Sequence, residues 1–457
     1  MNFKIRTLPL AVALLFSAGA HAENLAEIYK EAKSYDATYA SAQAALEAGR
    51  EKLPQGRSGL LPTLTASGYT QWDNTNNQVF GSQYSFNQNG WQVQLTQPLF
   101  RWQNFVQYNQ SDFQVMQAEA QAAQAGQDLI IRVAQAYFDV LGAEDNLALV
   151  RAQKVAISEQ LAQAKRNFEV GTATITDTNE AQARYDLATS QEIAAESDLE
   201  IKRRALQQIV GHEPEKLAPL KSGVTLQQPQ PAQMDDWVKA AEQANYTVKS
   251  SEAAYEVAKR EVDRQRAGHY PTLDAFATAR ADMASNVPFV GQTGPRGYVE
   301  QRIVGLQLNI PLYAGGATLS RTRESAALAE QARQNFESAK RNAALGARTS
   351  YLSVTNGLAQ VKALEQALKS SETALESNKV GYKVGVRINI DVLNAEQQVT
   401  STKRDLAKAR YDTIVNSLKL KAATSSLTEQ ELAHVNDLLE PSLNDAGSPS
   451  GGNQPLQ

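Results

Sequence analysis

The sequence predicts a mainly α-helical protein with a smaller β part, in which one large unit occurs twice. Three observations support this fold class. Motifs recur about 214 residues after they first appear. Two very long Ala- and Gln-rich stretches are each followed by a shorter helical stretch with a seven-residue spacing, and two pairs of short segments alternate apolar with polar residues. We therefore expect long helices packed side by side and short strands paired as hairpins.

The repeat is visible in short motifs that return in the same order. The matching pairs are Leu60–Leu64 with His269–Leu273, Gln97–Phe100 with Ile310–Tyr313, Phe168–Thr172 with Tyr382–Val386, Asp177 with Asp391, and Asn179–Ala181 with Leu393–Ala395. The period is far too long for a solenoid repeat, so it indicates duplication of one large unit.

Each unit has the same predicted order of elements: a helical segment, two strands joined by a polar loop, a very long helix, a glycine turn and a shorter helix. The predicted ranges are about 24–56, 62–97, 102–168 and 176–210 in the first unit, and about 235–268, 271–310, 316–382 and 389–423 in the second. The domain boundaries that follow are a first repeat over 23–210, a linker over 211–234, a second repeat over 235–423, a segment over 424–440 and a disordered tail over 441–457.

The first 22 residues have the pattern of a secretory signal peptide. Lys4 and Arg6 precede an apolar run over 8–18, and Ala20 and Ala22 form an A-x-A cleavage site. We expect cleavage after Ala22. No other stretch approaches the ~20 apolar residues that a membrane-spanning helix needs, which leaves a soluble exported protein or a barrel of strands.

Composition excludes several kinds of chemistry. A formal net charge of −4 gives no reason to expect a nucleic acid partner. The absence of Cys excludes disulfides, thiolate metal sites, a cysteine nucleophile and a lipidated N-terminal Cys. With four His, one of them in the signal segment, and no paired acidic motif, the sequence predicts no enzyme, no metal site and no cofactor.

The helices that end each unit carry a seven-residue seam. Its members are Val392, Val399, Leu406, Thr413 and Leu420 in the second unit, and Thr178, Tyr185, Glu192, Leu199 and Leu206 at the matching positions in the first. Small and partly polar seam residues favour close helix packing with little apolar burial per turn. A helix of about 67 residues would extend ~100 Å, and two shorter helices stacked end to end would match it.

The alternating segments have the length of strands that could cross a membrane. Trp91, Val93 and Leu95 alternate with polar residues in the first hairpin, as do Val304 and Leu306 in the second. Four strands cannot close a barrel, whereas three chains would supply twelve. From the pattern alone, soluble hairpins that cap a coiled coil remain an alternative.

Several motifs together resemble the TolC family of outer-membrane channel-tunnels, over about residues 23–440. The motifs are Glu23–Leu25, Ala136–Leu141, Val170–Asp177, Gly268–Leu273 and Val384–Leu393, together with the duplicated Pro-Leu-aromatic unit. The resemblance implies a homotrimer whose twelve strands form a barrel in the Gram-negative outer membrane and whose antiparallel helices form a periplasmic tunnel. It further implies a periplasmic adaptor and an inner-membrane pump or ABC transporter as partners, for efflux of small molecules or type I secretion of proteins.

The resemblance also implies which residues close the tunnel at its periplasmic tip. In the family, an Arg and a Tyr at the second helix-turn-helix connection contact an Asp and a Thr at the first. The matching residues here are Arg387, Tyr382, Asp177 and Thr176. We call these four residues the latch. The alternative for Asp177 is that it is merely a favoured acidic residue at a helix N-terminus.

The same resemblance implies an acidic ring at the tunnel entrance. Asp391 matches its first position, whereas Asn394 replaces the second acidic position of the family. Three Asp391 carboxylates around a threefold axis would concentrate cations. The turns at Gly171 and Gly385 match the family's adaptor contacts, and residues 211–234 and 424–440 its equatorial belt.

An adaptor-like function is the main alternative to a channel. A periplasmic coiled-coil protein that links other export components would share the long helices. It would lack amphipathic strands and would need a membrane anchor or an N-terminal Cys, and neither is found in this sequence.

Overall fold

The computed structural model describes residues 22–77, 82–172, 174–214, 216–221, 223–284, 288–289, 292–293 and 297–440. The predicted signal segment up to residue 21 and the predicted tail from residue 441 lie outside these residues.

The first half of the chain forms five helices and two strands in the described residues. They are α1 (Leu25–Tyr35), α2 (Ala37–Arg50), α3 (Lys52–Ser58), β1 (Thr63–Asn77), β2 (Ser82–Phe100), α4 (Trp102–Glu169) and α5 (Ile175–Val210). The single helical segment expected over about 24–56 is divided. Asp36 leaves the helical conformation, with φ of −61° and ψ of 115°, and its carboxylate accepts a hydrogen bond from the Tyr39 N–H at 2.6 Å.

The second half has a similar order, with a 3₁₀ turn in place of the third helix, two additional short strands and a final short helix. Its elements are α6 (Met234–Ala244), α7 (Tyr246–Arg266), a 3₁₀ turn (Ala267–His269), β3 (Thr272–Ala284), β4 (Pro288–Phe289), β5 (Gln292–Thr293), β6 (Gly297–Asn309), α8 (Ala317–Lys383), α9 (Asn389–Ala423) and α10 (Glu429–Asn436). The single helical segment expected over about 235–268 is also divided, at Asn245, whose side chain caps the second of the two helices. The two long helices begin and end within a residue of the predicted ranges.

Glycines inside the long helices do not interrupt them. Gly126 and Gly142 lie within α4, and Gly346 and Gly357 within α8. Gly357 has a packing role, because a Cβ there would lie 2.5 Å from the hydroxyl oxygen of Thr413 on α9. The missing side chain lets α8 and α9 approach closely, which offsets part of the cost of glycine in a helix.

Four strands form one antiparallel sheet in the order β1-β2-β3-β6. The strands contain 15, 19, 13 and 13 residues, which is longer than the roughly ten expected. Cross-strand pairs place apolar side chains on one face, among them Leu64 opposite Leu95 and Ala277 opposite Val304. This face is uncovered within the chain, since Leu64 is 69% exposed and Val304 85% exposed.

By contacts, the chain forms two compact units, and each contains parts of both halves. The first unit comprises residues up to 40, 126–234 and from 348, and the second comprises 41–125 and 235–347. Among the described helices, none is both long enough and apolar enough to cross a membrane.

The core of the first unit is centred on the Ala136–Leu141 motif. Tyr137 is fully buried, and its hydroxyl donates to the carbonyl oxygens of Ala218, at 2.8 Å, and Glu23, at 3.2 Å. Tyr351, the matching residue of the second repeat, donates to the carbonyl of Ala232. Both tyrosines thus attach a long helix to the segment between α5 and α6.

The second unit contains the sheet. Arg101 lies between β2 and α4, and its guanidinium donates two hydrogen bonds to the largely buried carboxylate of Asp274 on β3, at 2.8 and 2.6 Å. This bidentate contact fixes the start of α4 against the sheet. Elsewhere in the unit, the rings of Tyr255 on α7 and Phe336 on α8 stack with their centroids 6.4 Å apart.

Burial confirms the predicted helical seam in α9 and only part of it in α5. The α9 members Val392, Val399, Leu406, Thr413 and Leu420 are all buried. In α5 the predicted members Leu199 and Leu206 are buried, whereas Thr178, Tyr185 and Glu192 are only half-buried. The neighbouring Ala181, Ala188 and Ala195 are buried in their place. The polar seam residue Glu192 is compensated on α4 by Lys154 at 2.7 Å and Arg151 at 3.2 Å.

Candidate functional site

The turn between α4 and α5 is built around Gly171. Its φ of 77° lies in the left-handed region that glycine adopts without strain. The Gly171 N–H donates to the Phe168 carbonyl at 3.0 Å, and the Thr172 N–H donates to the Asn167 carbonyl at 2.8 Å. These bonds satisfy the last carbonyls of α4 and reverse the chain.

The turn between α8 and α9 has the same backbone geometry. Gly385 has a φ of 78°. Its N–H donates to the Tyr382 carbonyl at 3.1 Å, and the Val386 N–H donates to the Gly381 carbonyl at 2.9 Å. A Cβ on Gly381 would lie 2.7 Å from Cγ of Arg387, so this glycine makes room for the Arg387 stem over the helix end.

The two turns differ in how they start the next helix. Thr174 caps α5: its side chain accepts the N–H of Asp177 at 3.2 Å. The Asp177 carboxylate in return accepts the backbone N–H of Thr174 at 2.9 Å and its hydroxyl at 2.8 Å. The matching residue before α9 is Ile388, which has no polar side chain and forms no side-chain cap.

Asp177 therefore has the helix-terminal function that the sequence left open as an alternative. The two hydrogen bonds that the Asp177 carboxylate accepts from Thr174 end on the same oxygen, Oδ2. In the part of the chain that the structure describes, no hydrogen bond reaches Oδ1. Capping the helix thus leaves one Asp177 oxygen free to accept a further donor.

Arg387 lies closer to the ring residue Asp391 than to the latch residue Asp177. Its Nη1 is 3.8 Å from Oδ2 of Asp391 one helical turn away, and the guanidinium is largely exposed. Such a pair contributes little near solvent. Among the described residues, the Tyr382 hydroxyl and the Thr176 side chain form no hydrogen bond. The latch pairing across the two turns stays a prediction.

Asn394 is held by a residue that the sequence reasoning did not select. Arg184 on α5 donates to Oδ1 of Asn394 at 3.2 Å and to Oε1 of Gln397 at 3.0 Å. Its charge therefore faces two neutral amides of α9. No sequence signal marks Arg184, whereas the Thr174 cap is visible in the sequence as a Thr three residues before Asp177.

The start of α9 is fixed by packing against α4 and α5. Leu393 is buried with Ile157 and Ala188, and the Gln160 amide donates to the Glu396 carboxylate at 2.9 Å. Asp391 and Asn394, which flank Leu393, are consequently held at defined positions beside the α8–α9 turn.

The family described as outer membrane efflux protein matches this chain over residues 28–212 and 237–426. The chain is 34% identical to outer membrane protein TolC of Vibrio cholerae over 435 residues, covering 94% of this chain and 98% of that protein. It is 31% identical to the alkaline protease secretion protein AprF of Pseudomonas aeruginosa over 434 residues, covering 93% and 89%.

Solved structures share the fold. The Campylobacter jejuni CmeC outer membrane channel superposes with a TM-score of 0.76 at 15% identity, covering 96% of this chain and 98% of that one. The relatives are outer-membrane channels and secretion proteins, which supports the channel interpretation over the adaptor alternative. The chain therefore belongs to the outer membrane efflux protein family.

Proposed function

We propose that three copies of this chain form a continuous export duct from the outer membrane into the periplasm. Their four-stranded sheets would join into one closed twelve-stranded sheet, with the apolar face that carries Leu64 and Val304 toward lipid. The strands β1 and β6 are the sheet edges in the described chain. Their pairing between copies would satisfy backbone groups that lipid cannot.

The helices α4, α5, α8 and α9 of each copy would form the periplasmic wall, ending at the Gly171 and Gly385 turns. A periplasmic adaptor docked at these turns would connect the duct to an inner-membrane pump or ABC transporter. The cargo is a small molecule or a secreted protein, and the similarity to AprF, whose name states protease secretion, favours testing protein cargo first.

In this proposal, the latch closes the duct at its periplasmic tip. The observation that supports it is a set of polar atoms at the two matched turns that no described residue contacts: Oδ1 of Asp177, the Tyr382 hydroxyl and most donors of Arg387. A guanidinium has five N–H donors, and Arg387 uses its group for one contact at 3.8 Å. Bonds between these groups would be directional yet weak near solvent, so an adaptor with preference for the open state could release them.

Single-channel conductance in planar bilayers tests both parts of the proposal. The double variant Tyr382→Phe, Arg387→Ser is expected to raise the conductance several-fold because the tip loosens. Lys383→Ser is the matched control, since it also removes one positive charge per chain from the exposed second turn. Equal conductance in both variants would show that the latch is misplaced.

The duct itself is tested independently of the latch. Wild-type protein is expected as a heat-modifiable trimer in the detergent-extracted outer-membrane fraction. A monomer in the soluble periplasmic fraction would overturn the trimeric duct, whatever the conductance of the latch variants.

A further inference from the structure

Three metal-ligating side chains converge where the start of the described chain meets the end of α5, within the first compact unit. His212 Nε2 lies 3.6 Å from Oε1 of Glu23 and 3.7 Å from Oε2 of Glu31. One ligand atom from each residue falls within 4.8 Å of the other two. The cluster lies outside the tip residues and has no function in the proposed duct.

The backbone holds each of the three residues in place. The Glu23 N–H donates to the Lys216 carbonyl at 2.7 Å, and its carbonyl accepts the Ala218 N–H at 3.0 Å. His212 follows Gly211, which ends α5 with a φ of 92° and packs so closely on Tyr35 that a Cβ would lie 2.7 Å from the ring. Glu31 projects from α1, whose start is fixed by the reciprocal cap of Asn24 and Glu27.

Two carboxylate oxygens in the cluster accept no hydrogen bond from the part of the chain that the structure describes. They are Oε2 of Glu23 and Oε2 of Glu31, and both atoms are shielded from solvent. A shielded anionic oxygen that accepts no hydrogen bond is unfavourable, and the two carboxylates repel each other. Oε2 of Glu31 is also the atom that faces His212, so the unsatisfied group points into the cluster.

The spacing suits a tetrahedral metal ion better than direct hydrogen bonds. Bonds of ~2.0–2.1 Å from Zn²⁺ to His nitrogen and carboxylate oxygen place neighbouring ligand atoms about 3.4 Å apart. The observed 3.6 and 3.7 Å are close to this value and long for hydrogen bonds. One imidazole and two carboxylates match a borderline divalent ion, and the partly exposed His212 leaves a fourth position open to water.

We propose that Glu23, Glu31 and His212 bind one Zn²⁺ per chain. The ion joins the first residues after the predicted cleavage site and α1 to the end of α5. It would therefore clamp the start of the mature chain to the core that surrounds Tyr137. A protonated His212 paired with both acids would use the same geometry without a metal, and the experiment separates these two cases.

The direct test is zinc titration by isothermal calorimetry on mature, tag-free trimer in detergent, stripped with EDTA and dialysed at pH 7.5. Wild type is expected to bind one Zn²⁺ per chain, and His212→Gln to weaken this binding at least tenfold. His434→Gln is the matched control, since His434 is exposed on α10 and is not a member of the cluster, and it should bind as wild type does. Equal binding by wild type and His212→Gln would overturn the site.

A second measurement avoids any substitution. Diethyl pyrocarbonate acylates accessible imidazole nitrogens, and mass spectrometry reads each histidine separately. Zn²⁺ should slow modification of His212 at least fivefold in wild-type protein and leave His434 unchanged, whereas Mg²⁺ should protect neither. Equal modification of His212 with and without Zn²⁺ would contradict the proposal even if the variants fold poorly.

Discussion

Gly171 and Gly385 adopt almost the same left-handed backbone conformation, with φ of 77° and 78°, at matching positions of the two helical turns. A Cβ added to either residue would meet no atom within 4 Å. Any cost of a side chain there is consequently conformational rather than steric. The duplication has preserved the backbone of the turn while the capping residues after it, Thr174 and Ile388, have diverged.

Gly385→Ala is expected to destabilise the second turn by about 1–2 kcal/mol, because an L-residue is strained in the left-handed region. Hydrogen exchange of the amides over 384–390 measures the effect locally. Gly346→Ala is the control: it lies in α8, where a Cβ also meets open space, and should stabilise its helix by up to about 1 kcal/mol. If Gly385→Ala and Gly346→Ala both lowered stability, or both raised it, the result would contradict this account.

The cap of α5 can be removed, and one can be introduced before α9. Thr174→Ala should cost about 1 kcal/mol in the first turn of α5, since the Asp177 N–H loses its acceptor. Ile388→Thr should protect the first turn of α9, because it recreates the same Thr-x-x-Asp pattern with Asp391. Hydrogen exchange resolves both turns, and unchanged protection in Ile388→Thr would show that the Asp391 carboxylate stays with Arg387.

Close packing of α8 on α9 predicts a suppressor pair. Gly357→Ala alone should destabilise by about 1–3 kcal/mol, because its Cβ would lie 2.5 Å from the Thr413 hydroxyl oxygen. Thr413→Ala removes that atom and should restore much of the loss in the double variant. Apparent thermal midpoints of the four proteins form a double-mutant cycle, and strictly additive effects would refute the contact.

The long helices and their buried seam were predictable because a pattern that recurs over many residues is little affected by single exceptions. The bounds of α4 and α8 and the buried seam through Leu406 and Leu206 follow from such patterns. Single-residue events were not predicted. The break at Asp36 depends on a side chain that caps α2, and the contact of Arg184 with Asn394 depends on how two distant helices pack.

The strands illustrate a different limit. β2 extends over 19 residues, but alternation between apolar and polar residues is clear only around Trp91–Leu95. Before this, Asn and Gln occupy both faces, so periodicity carries no signal there although the backbone ladder continues opposite β1. At the candidate site, the sequence resemblance selected the turn residues. The contact of Arg184 with Asn394 and the Asp177 oxygen that accepts no bond from the described residues depend on three-dimensional packing, which no sequence pattern specifies.

Acid should destabilise the first unit through Asp36. Arg132 donates to both carboxylate oxygens of this buried residue, at 2.9 and 3.0 Å, and holds the pKa of Asp36 below its usual value. A lowered folded-state pKa stabilises above the unfolded pKa of about 3.9, and this contribution is lost as the pH falls through the folded value.

Thermal midpoints between pH 7 and pH 2.5 measure this effect. The acid-induced decrease below about pH 4 should be smaller in Asp36→Asn, which is less stable at neutral pH. Glu330→Gln is the control. The Arg333 guanidinium lowers the pKa of Glu330 to about 2, but both side chains are exposed and screened by solvent. In Glu330→Gln the thermal midpoint should decrease with falling pH as much as in wild type. If this decrease became as small as in Asp36→Asn, the result would contradict the role of burial.

We expect the predicted acidic ring at Asp391 to determine the charge selectivity of the proposed duct. Asp391→Ala is expected to shift the reversal potential toward lower cation selectivity, because three carboxylates leave the entrance. Asn394→Asp should add only part of a second ring, since Arg184 donates to this position and its charge would offset the new carboxylate. Removing that offset in Asn394→Asp, Arg184→Gln should increase cation selectivity and divalent-cation block beyond the single variant. An unchanged reversal potential in Asp391→Ala would exclude Asp391 from the ring. If Asn394→Asp and Asn394→Asp, Arg184→Gln have the same reversal potential, Arg184 does not act on the entrance.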